Sequence, residues 1–256
     1  MSKLLAGKTA LVLGVQNKWS IAYAIAGAFV REGTRLILTF QGERQRQTVE
    51  ELGGDLGATK ILSCDVTKQE ELDHLVGELK KISPTLDAVV HSIAFANKED
   101  LSNPFLETSR DGFLLAMEVS AYSLVSVSRA LAPLMTSGGS ITTLTYLGST
   151  RVLPNYNVMG VAKASLEACV RYLAGELGEK KIRVNAISAG PIKTASARAV
   201  KDLAKMLENV ETRSPLRRNT DPAEVGDTAV FLASDLGRGV TANIIFVDSG
   251  YQAMGM

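Results

Sequence analysis

Short apolar runs alternate along the chain with longer stretches whose apolar residues recur every three or four positions. Residues 8–14 and 35–40 are rich in strand formers, and residues 20–33 between them have the spacing of an amphipathic helix. Ser20 is suited to cap this helix and Gly33 to end it. The pattern therefore predicts a strand, a helix and a second strand at the start of the chain.

The same alternation continues to the other end of the chain. Further strands are predicted at residues 60–65, 86–91, 140–145, 182–188 and 243–247, and further helices at residues 43–52, 67–82, 111–135, 156–178 and 222–234. Several strands are apolar on both faces, which is typical of a parallel sheet covered by helices on each side. The sequence thus predicts the α/β class, with a single doubly wound, Rossmann-like parallel sheet of about seven strands that forms one domain over residues 1–256.

The connection over residues 189–219 is long for a loop between two elements. Within it, Leu203, Met206 and Leu207 recur at helical spacing on one side. Because this segment follows a predicted strand directly, its beginning lies at the edge of the sheet where ligands bind in such folds. We expect residues 192–211 to cover the substrate as a lid.

Composition limits the kinds of partner, metal site and cellular compartment that we expect for this chain. Apolar residues make up 46% of the chain, charged residues 21%, and the net charge is +1, so no nucleic acid or membrane partner is indicated. The apolar runs are shorter than the ~20 residues of a spanning helix. Two cysteines, Cys64 and Cys169, form no CxxC motif or His/Cys cluster. We therefore expect no metal site and a cytoplasmic location.

The candidate chemistry lies in residues 144–163, which contain Tyr146, Tyr156 and Lys163. Tyr156 and Lys163 are seven residues apart, which is two helical turns, so the two side chains are expected on one face. A nearby ammonium lowers a phenol pKa that starts near ~10 and makes the phenol a better partner for an oxyanion. A plain surface pair is the alternative interpretation of this spacing alone.

A candidate phosphate site follows the first predicted strand. Gly14 allows the backbone to turn there, Ser20 offers a hydroxyl, and the backbone N–H groups of Ser20 and Ile21 lie at the predicted helix start. The spacing is not the GxGxxG fingerprint, so an ordinary strand-to-helix turn is an equally good interpretation of these residues alone.

Polar residues also follow the second and third strands. Gln41 stands where an acidic residue usually holds the adenosine ribose, and Arg44 is close enough in sequence to attract a 2′-phosphate. Asp65 can accept from an adenine amino group beside the main-chain N–H of Val66. His91, which ends the fourth strand, is better explained as a hydrogen-bonded structural residue than as a catalyst. These residues are compatible with the adenine half of either NADH or NADPH.

These motifs together resemble the bacterial enoyl-acyl-carrier-protein reductases, a divergent branch of the short-chain dehydrogenase/reductases. The chain has Gly14-x5-Ser20-Ile-Ala where ordinary members have TGxxxGIG, and Tyr156-x6-Lys163 where they have YxxxK. The segments starting at His91, Pro154 and Arg183 match the family as well, so the resemblance covers nearly the full length.

The resemblance implies NADH-dependent reduction of the trans-2 double bond of enoyl thioesters on acyl carrier protein, the last step of the fatty-acid elongation cycle. It also implies a homotetramer. The implied catalytic residues are Tyr146, Tyr156 and Lys163, and the implied substrate contacts are Ala96, Tyr146 and Tyr156. The implied cofactor contacts are Gly14, Ser20, Ile21, Gln41, Asp65, Val66, Ile93, Lys163, Ile192, Lys193, Thr194, Ala195 and Ser196.

Two other functions remain open at this point. An ordinary ketoreductase or alcohol dehydrogenase would need YxxxK and a serine about thirteen residues before the tyrosine, where this chain has Thr143. A catalytically inactive dinucleotide-binding protein would not need to keep both Tyr156 and Lys163. The x6 spacing and Tyr146 favour the enoyl reductase.

Overall fold

Seven parallel strands form a single sheet in the computed structural model, which describes residues 3–194 and 203–255. The strands follow the order β3-β2-β1-β4-β5-β6-β7 across the sheet. Their bounds are β1 Thr9–Leu13, β2 Arg35–Phe40, β3 Lys60–Ser63, β4 Ala88–His91, β5 Gly139–Thr145, β6 Ile182–Ala189 and β7 Ile244–Val247. The predicted fold class is confirmed.

Helices cover both faces of this sheet. Their bounds are α1 Ile21–Arg31, α2 Glu43–Leu56, α3 Gln69–Ile82, α4 Lys98–Ser102, α5 Arg110–Met117, α6 Ser123–Leu131, α7 Asn157–Leu177, α8 Leu203–Arg213 and α9 Pro222–Ala233. Apolar side chains of α3, α6 and α7 pack in one core, and those of α1, α2 and α9 pack in another on the opposite face. The strands supply both cores, which explains why several of them are apolar on both sides.

Several predicted boundaries need correction. The short helix α4 lies between residues 91 and 111, where no element is predicted, and α2 runs to Leu56 rather than to residue 52. Lys68, not Thr67, precedes α3 as its cap residue, because the Thr67 side chain donates to Asp65 at 2.7 Å instead. The helix predicted over residues 111–135 is a helical run with a π-helical turn at Glu118–Tyr122. Side-chain hydrogen bonds that decide such details are not visible in a periodic pattern.

The helical run Arg110–Leu134 corrects the expectation that every apolar stretch is too short to span a membrane. Its length of 25 residues and its composition would suffice for a crossing. Half of its most apolar window is buried within the protein, however, where Leu124, Val127 and Leu131 belong to a core beneath the sheet. A core helix of a folded protein can therefore match a membrane-spanning helix in length and composition.

The strand order places a crevice between β1 and β4. From β1 the chain winds outward through β2 and β3, and then returns to continue on the other side from β4. Leu13 lies beside His91, and His91 lies beside Thr143, so the carboxyl ends of β1, β4 and β5 meet at one edge. Ligands of doubly wound sheets bind at such a reversal of strand order.

Candidate active site

Gly14 lets the backbones at the ends of β1 and β4 approach each other. Its φ angle is +98°, and a Cβ atom at this position would lie 2.0 Å from the carbonyl oxygen of Ser92. Only glycine combines this conformation with this proximity at low cost. The crevice at the switch point therefore has a floor of bare backbone, which a flat ring or a diphosphate can approach closely.

Ser20 is engaged as the cap of α1. Its hydroxyl accepts from the amide of Tyr23 at 3.2 Å and donates to the carbonyl of Asn17 at 2.7 Å, and its own amide donates to the same carbonyl at 3.1 Å. A hydroxyl has one proton, so Ser20 must turn away from Asn17 to bond a phosphate. The amide of Ile21 lies in the first turn, where no intrahelical acceptor exists, and suits an anion without rearrangement.

The side chains at the ends of β2 and β3 meet at the same edge. The Gln41 side chain helps to lower the pKa of Asp65, and Asp65 accepts from the amide of Thr67 at 3.0 Å. Burial acts to raise the pKa of Asp65, but these hydrogen bonds and Lys68 outweigh it and hold the pKa below its usual range. Asp65 is therefore a carboxylate at neutral pH, fit to accept from an adenine amino group.

Arginines near the end of β2 differ in their partners. Arg46 bonds Glu50 at 2.9 Å and Glu43 at 3.3 Å, and its guanidinium lies 6.0 Å from the ring centre of Phe40. Its charge is thus balanced by two carboxylates of α2. Arg44 is exposed and forms no ion pair with the described residues. The described groups fit an adenine dinucleotide with an unphosphorylated ribose, and the cation that could meet a 2′-phosphate is Arg44, which is in no ion pair with them.

His91 is a structural residue, as predicted. Its ring is fully buried, with Nδ1 3.0 Å from the Thr143 hydroxyl and Nε2 2.8 Å from the Ser123 hydroxyl. The Ser123 hydroxyl also donates to the carbonyl of Val119 and the Thr143 hydroxyl to that of His91, so the two contacts hold the ring in one orientation. Burial, reinforced by the charge of Lys163, lowers the pKa of His91 to about 3.

The Tyr156 side chain is positioned by a turn that precedes α7, not by the helix itself. Asn155 and Asn157 have φ angles of 61° and 39°, in the left-handed region that asparagine tolerates. The Asn157 side chain donates to the carbonyls of Leu101 and Asn103 at 2.9 and 2.8 Å, which ties this turn to α4. Tyr156 therefore lies directly before the first residue of α7, and of the two residues only Lys163 is within the helix.

Gly148 provides the space that the Tyr156 ring occupies. A Cβ atom at Gly148 would lie 2.3 Å from Cδ1 of that ring. Tyr146 meets the ring from another side, edge to face, with centroids 5.2 Å apart and planes at 73°. Tyr156 and Ala96 both pack against the apolar cluster that includes Val158 and Met159. The predicted substrate contacts Ala96, Tyr146 and Tyr156 thus lie around one apolar patch.

Burial reverses the pKa shift expected for Tyr156 and also acts on Tyr146. The pKa of Tyr156 is raised by burial, then by Tyr146 and Glu167, and the pKa of Tyr146 is raised by burial, then by Tyr251 and Asp248. The expectation that Lys163 lowers the pKa of Tyr156 is wrong for the protein alone. Both phenols stay protonated at neutral pH and act as hydrogen-bond donors.

Lys163 is a buried cation at the end of β5. Its side chain is 6% exposed, and Nζ donates to the carbonyl of Leu144 at 2.8 Å. Burial lowers the pKa of Lys163 to about 8, and the carboxylate of Glu167 acts in the opposite direction. At neutral pH the ammonium form therefore still dominates, close to the point where it would lose its proton.

The remaining predicted residues follow the third, fourth and sixth strands. Val66 is buried, and Ile93 packs against the core on the α7 side of the sheet. Ile192 is buried, Lys193 is exposed, and the amide of Thr194 donates to the carbonyl of Ile192 at 2.7 Å. Ala195 and Ser196, together with residues 197–202 of the predicted lid, lie outside the described residues.

The sequence interpretation missed several residues that shape the site. Gly148 contacts Tyr156, and Thr145 bonds Glu167. Ser120 lies in the π-helical turn, where its hydroxyl donates to the carbonyl of Phe95 at 3.0 Å and accepts from the same residue's amide at 2.9 Å. No local motif marks these contacts, since each joins residues far apart in the chain.

Comparison with known proteins agrees with this geometry. A family model described as enoyl-(acyl carrier protein) reductase matches residues 14–252. Enoyl-[acyl-carrier-protein] reductase [NADH] FabI of Bacillus cereus is 55% identical over 255 residues, which is 99% of this chain and 100% of the relative. The Escherichia coli protein of the same description is 44% identical over 253 residues, covering 98% of this chain and 97% of its own.

Solved structures extend the likeness to three dimensions. A crystal structure of the Bacillus cereus enoyl-acyl carrier protein reductase with NADP+ and indole naphthyridinone matches with a TM-score of 0.98 at 55% identity, over 99% of this chain and 100% of the other. A reductase of the same kind from Anaplasma phagocytophilum in complex with NAD matches with a TM-score of 0.95 at 42% identity, over 100% and 96%. The similarity covers the sheet, its helices and the crevice.

Proposed function

The chain belongs to the enoyl-acyl-carrier-protein reductase family, and from this premise we propose that Tyr156 and Lys163 carry its reaction. The enzyme reduces the trans-2 double bond of enoyl thioesters with NADH, in the last step of fatty-acid elongation. The observation that most supports the assignment of roles is the burial of Lys163 at the end of β5, beside a crevice floored by Gly14.

NADH, when bound, supplies the hydride that adds to C3 of the enoyl chain. The amide of Ile21, the Gln41 side chain and the Asp65 carboxylate would hold its diphosphate, ribose and adenine. Gly14, Val66, Ile93 and residues 192–196 would contact it as well, with Ser20 joining if its hydroxyl turns. Lys163 would hold the nicotinamide ribose through its ammonium, which is charged at neutral pH.

Tyr156 is the proposed partner of the thioester oxygen. Negative charge develops on that oxygen as C3 gains a hydride, and a protonated phenol can donate to it. The raised pKa of Tyr156 keeps the donor proton in place, and the T-shaped contact with Tyr146 fixes the ring. Protonation at C2 then completes the saturated acyl chain.

The acyl chain is proposed to lie on the apolar patch around Ala96, Tyr146 and Tyr156, with residues 192–211 as its cover. Within that segment, α8 presents Leu207 and Val210 to the protein, where both are buried, whereas Leu203 and Met206 are only partly buried. The partly exposed pair supplies apolar surface that an acyl chain could cover. Exclusion of water there would favour addition of hydride over side reactions.

Acyl carrier protein is the proposed partner that delivers the substrate, in the cytoplasm, to a homotetramer. The free thiols of Cys64 and Cys169 are compatible with a reducing compartment. Exposed apolar side chains on α5, the π-helical turn and α7 support self-association, among them Leu114, Tyr122 and Tyr172. Sedimentation analysis tests the assembly, and a monomer at micromolar concentration would contradict it.

Oxidation of NADH with two substrates tests the proposed function. We expect a crotonyl thioester to be reduced rapidly and a β-ketoacyl thioester not to be reduced. Thr143 cannot replace the serine of a ketoreductase, because its hydroxyl is buried and donates to the carbonyl of His91 at 3.0 Å. Reduction of the β-ketoacyl thioester alone would show that the chain is a ketoreductase.

A further inference from the structure

Glu167 is a buried carboxylate on α7, beside the end of β5, and has no role in the scheme above. It lies four residues after Lys163 on α7, so the two side chains share one face of the helix. Its side chain is 6% exposed, and one carboxylate oxygen accepts from the Thr145 hydroxyl at 2.7 Å. Glutamates are rarely buried to this extent unless a charge or a hydrogen bond compensates.

The end of β5 binds both charged side chains at adjacent positions. The carbonyl of Leu144 accepts from the Lys163 ammonium, and the hydroxyl of the next residue, Thr145, donates to the Glu167 carboxylate. The strand therefore binds both side chains from one helix face, and Lys163 and Glu167 form no direct ion pair within 4.0 Å. Two contacts of this kind fix the orientation of both side chains relative to the sheet.

The other titratable groups around Lys163 carry no charge at neutral pH. These are His91 on β4, Tyr146 after β5 and Tyr156 before α7. Burial holds the histidine neutral and both phenols protonated. Among the described residues, Glu167 is therefore the negative charge that acts on Lys163.

We propose that Glu167 is a positioning residue for the reaction, whose buried carboxylate keeps Lys163 charged so that the ammonium can hold the nicotinamide ribose. This inference rests on the proposed role of Lys163. Burial brings the pKa of Lys163 down to about 8, and Glu167 limits the fall. Without the carboxylate, an appreciable fraction of Lys163 would be neutral at the pH of the cell.

Fluorescence titration with NADH between pH 6.5 and 9.5 tests the proposal. Wild type should lose affinity as Lys163 deprotonates, and the midpoint of that loss is the readout. In Glu167→Gln we expect the midpoint to fall by about one pH unit, the lower end of the range for loss of a nearby opposite charge. Glu176→Gln, which removes an exposed carboxylate from the same helix, should match wild type.

A conservative variant keeps the proposal testable if Glu167→Gln does not fold. Glu167→Asp keeps the charge but withdraws it, so its midpoint should lie between those of wild type and Glu167→Gln. Thermal melting and circular dichroism confirm that each variant folds. If Glu167→Gln does not fold, the Glu167→Asp midpoint decides the question. A midpoint equal to wild type in every folded variant at this position would overturn the proposal.

Lys163→Ala in the same titration separates this inference from the proposed function. If Lys163→Ala binds NADH as tightly as wild type at pH 6.5, Lys163 does not hold the ribose and the proposed role fails. If Lys163→Ala binds weakly but Glu167→Gln keeps the wild-type midpoint, only the role of Glu167 is wrong. A merely structural Glu167 would lower the melting temperature without moving the midpoint.

Discussion

The two halves of the crevice are formed by different kinds of chemical group. The nucleotide half, at the ends of β1 to β3, consists of backbone amides and side chains that reach solvent, such as Gln41 and Asp65. The reaction half, at the ends of β4 and β5 and on α7, contains fully or largely buried groups, including His91, Lys163 and Glu167. The nucleotide half offers hydrogen bonds to a bound molecule. In the reaction half, burial determines the protonation states of the side chains.

This difference explains why burial dominates the reaction half. Asp65 keeps a lowered pKa because hydrogen bonds outweigh its partial burial, and its charge is maintained by groups at the surface. The pKa values of His91, Tyr156 and Lys163 all shift in the direction that favours the neutral form, since His91 and Lys163 are buried and Tyr156 is partly buried. A substitution in the reaction half should therefore change chemistry or pH dependence, and one in the nucleotide half should change affinity or cofactor choice.

Lys163→Ala should have the largest effect, because Lys163 is proposed to contact the cofactor from the reaction half. Loss of a charged hydrogen bond to the ribose weakens binding by about tenfold or more, and loss of the local positive charge slows turnover further. We expect kcat/KM to fall by roughly 10³. Steady-state kinetics with a crotonyl thioester measures kcat/KM. A decrease of less than tenfold in kcat/KM would place Lys163 outside the site.

Gly148→Ala should have the next largest effect on activity. The added methyl group must displace the Tyr156 ring, which a Cβ at this position would approach within 2.3 Å. A misplaced donor can cost on the order of 10² in rate. We expect kcat to fall by that factor while the dissociation constant of NADH stays within twofold.

Gly175→Ala is the matched control for this variant. A Cβ at Gly175, on the same α7, would meet nothing within 4 Å, so activity should be unchanged. Equal kcat values for the two alanine variants would show that the ring tolerates the methyl group and that Gly148 does not position Tyr156.

The buried His91 predicts a dependence of stability on pH. Its pKa in the folded protein is about 3, against an ordinary value near ~6.5, so below pH ~6.5 the unfolded chain takes up a proton that the folded protein does not. Stability should fall as pH drops from about 6.5 toward 3, with a loss of about 2 kcal/mol at pH 5 from this group.

Urea unfolding at pH 7.5 and pH 5 measures this loss. His91→Gln should be less stable at pH 7.5 but should lose about 2 kcal/mol less than wild type on going to pH 5. His74→Gln, at an exposed position, should behave as wild type does. The same loss in His91→Gln and wild type would mean that His91 is not held neutral.

Cofactor preference should be the smallest effect and belongs to the nucleotide half. With Gln41 neutral and Arg46 paired to Glu43 and Glu50, a 2′-phosphate gains little compensation. We expect kcat/KM to favour NADH over NADPH by about tenfold, the equivalent of roughly 1.4 kcal/mol. A ratio that favours NADPH, and that Arg44→Ala reverses, would show that Arg44 reaches the phosphate.

The sequence predicted the sheet because its strands carry a strong and local signal. Apolar runs such as residues 35–40 match an observed strand, and the acidic and polar residues that follow β2 and β3 do meet at one edge. The nucleotide half was predictable for the same reason: strand ends define it, and strand ends are visible in the hydrophobic pattern.

The reaction half was only partly predictable because its properties arise from tertiary packing. Tyr156 and Lys163 could be identified from their spacing and the family resemblance. The direction of the Tyr156 pKa shift could not, since it follows from burial beside Tyr146. The contact of Gly148 with Tyr156, and that of Thr145 with Glu167, join residues 8 and 22 positions apart that no helical or strand period pairs.

The central claim is that Tyr156 acts on the developing oxyanion from the reaction half and contributes little to cofactor binding. Kinetics of Tyr156→Phe with a crotonyl thioester, together with NADH titration of the same preparation, tests it most directly. We predict that kcat falls by roughly 10² to 10³, the loss expected for one oxyanion donor, while the dissociation constant of NADH changes less than twofold. A kcat equal to wild type would remove Tyr156 from the mechanism and contradict the account.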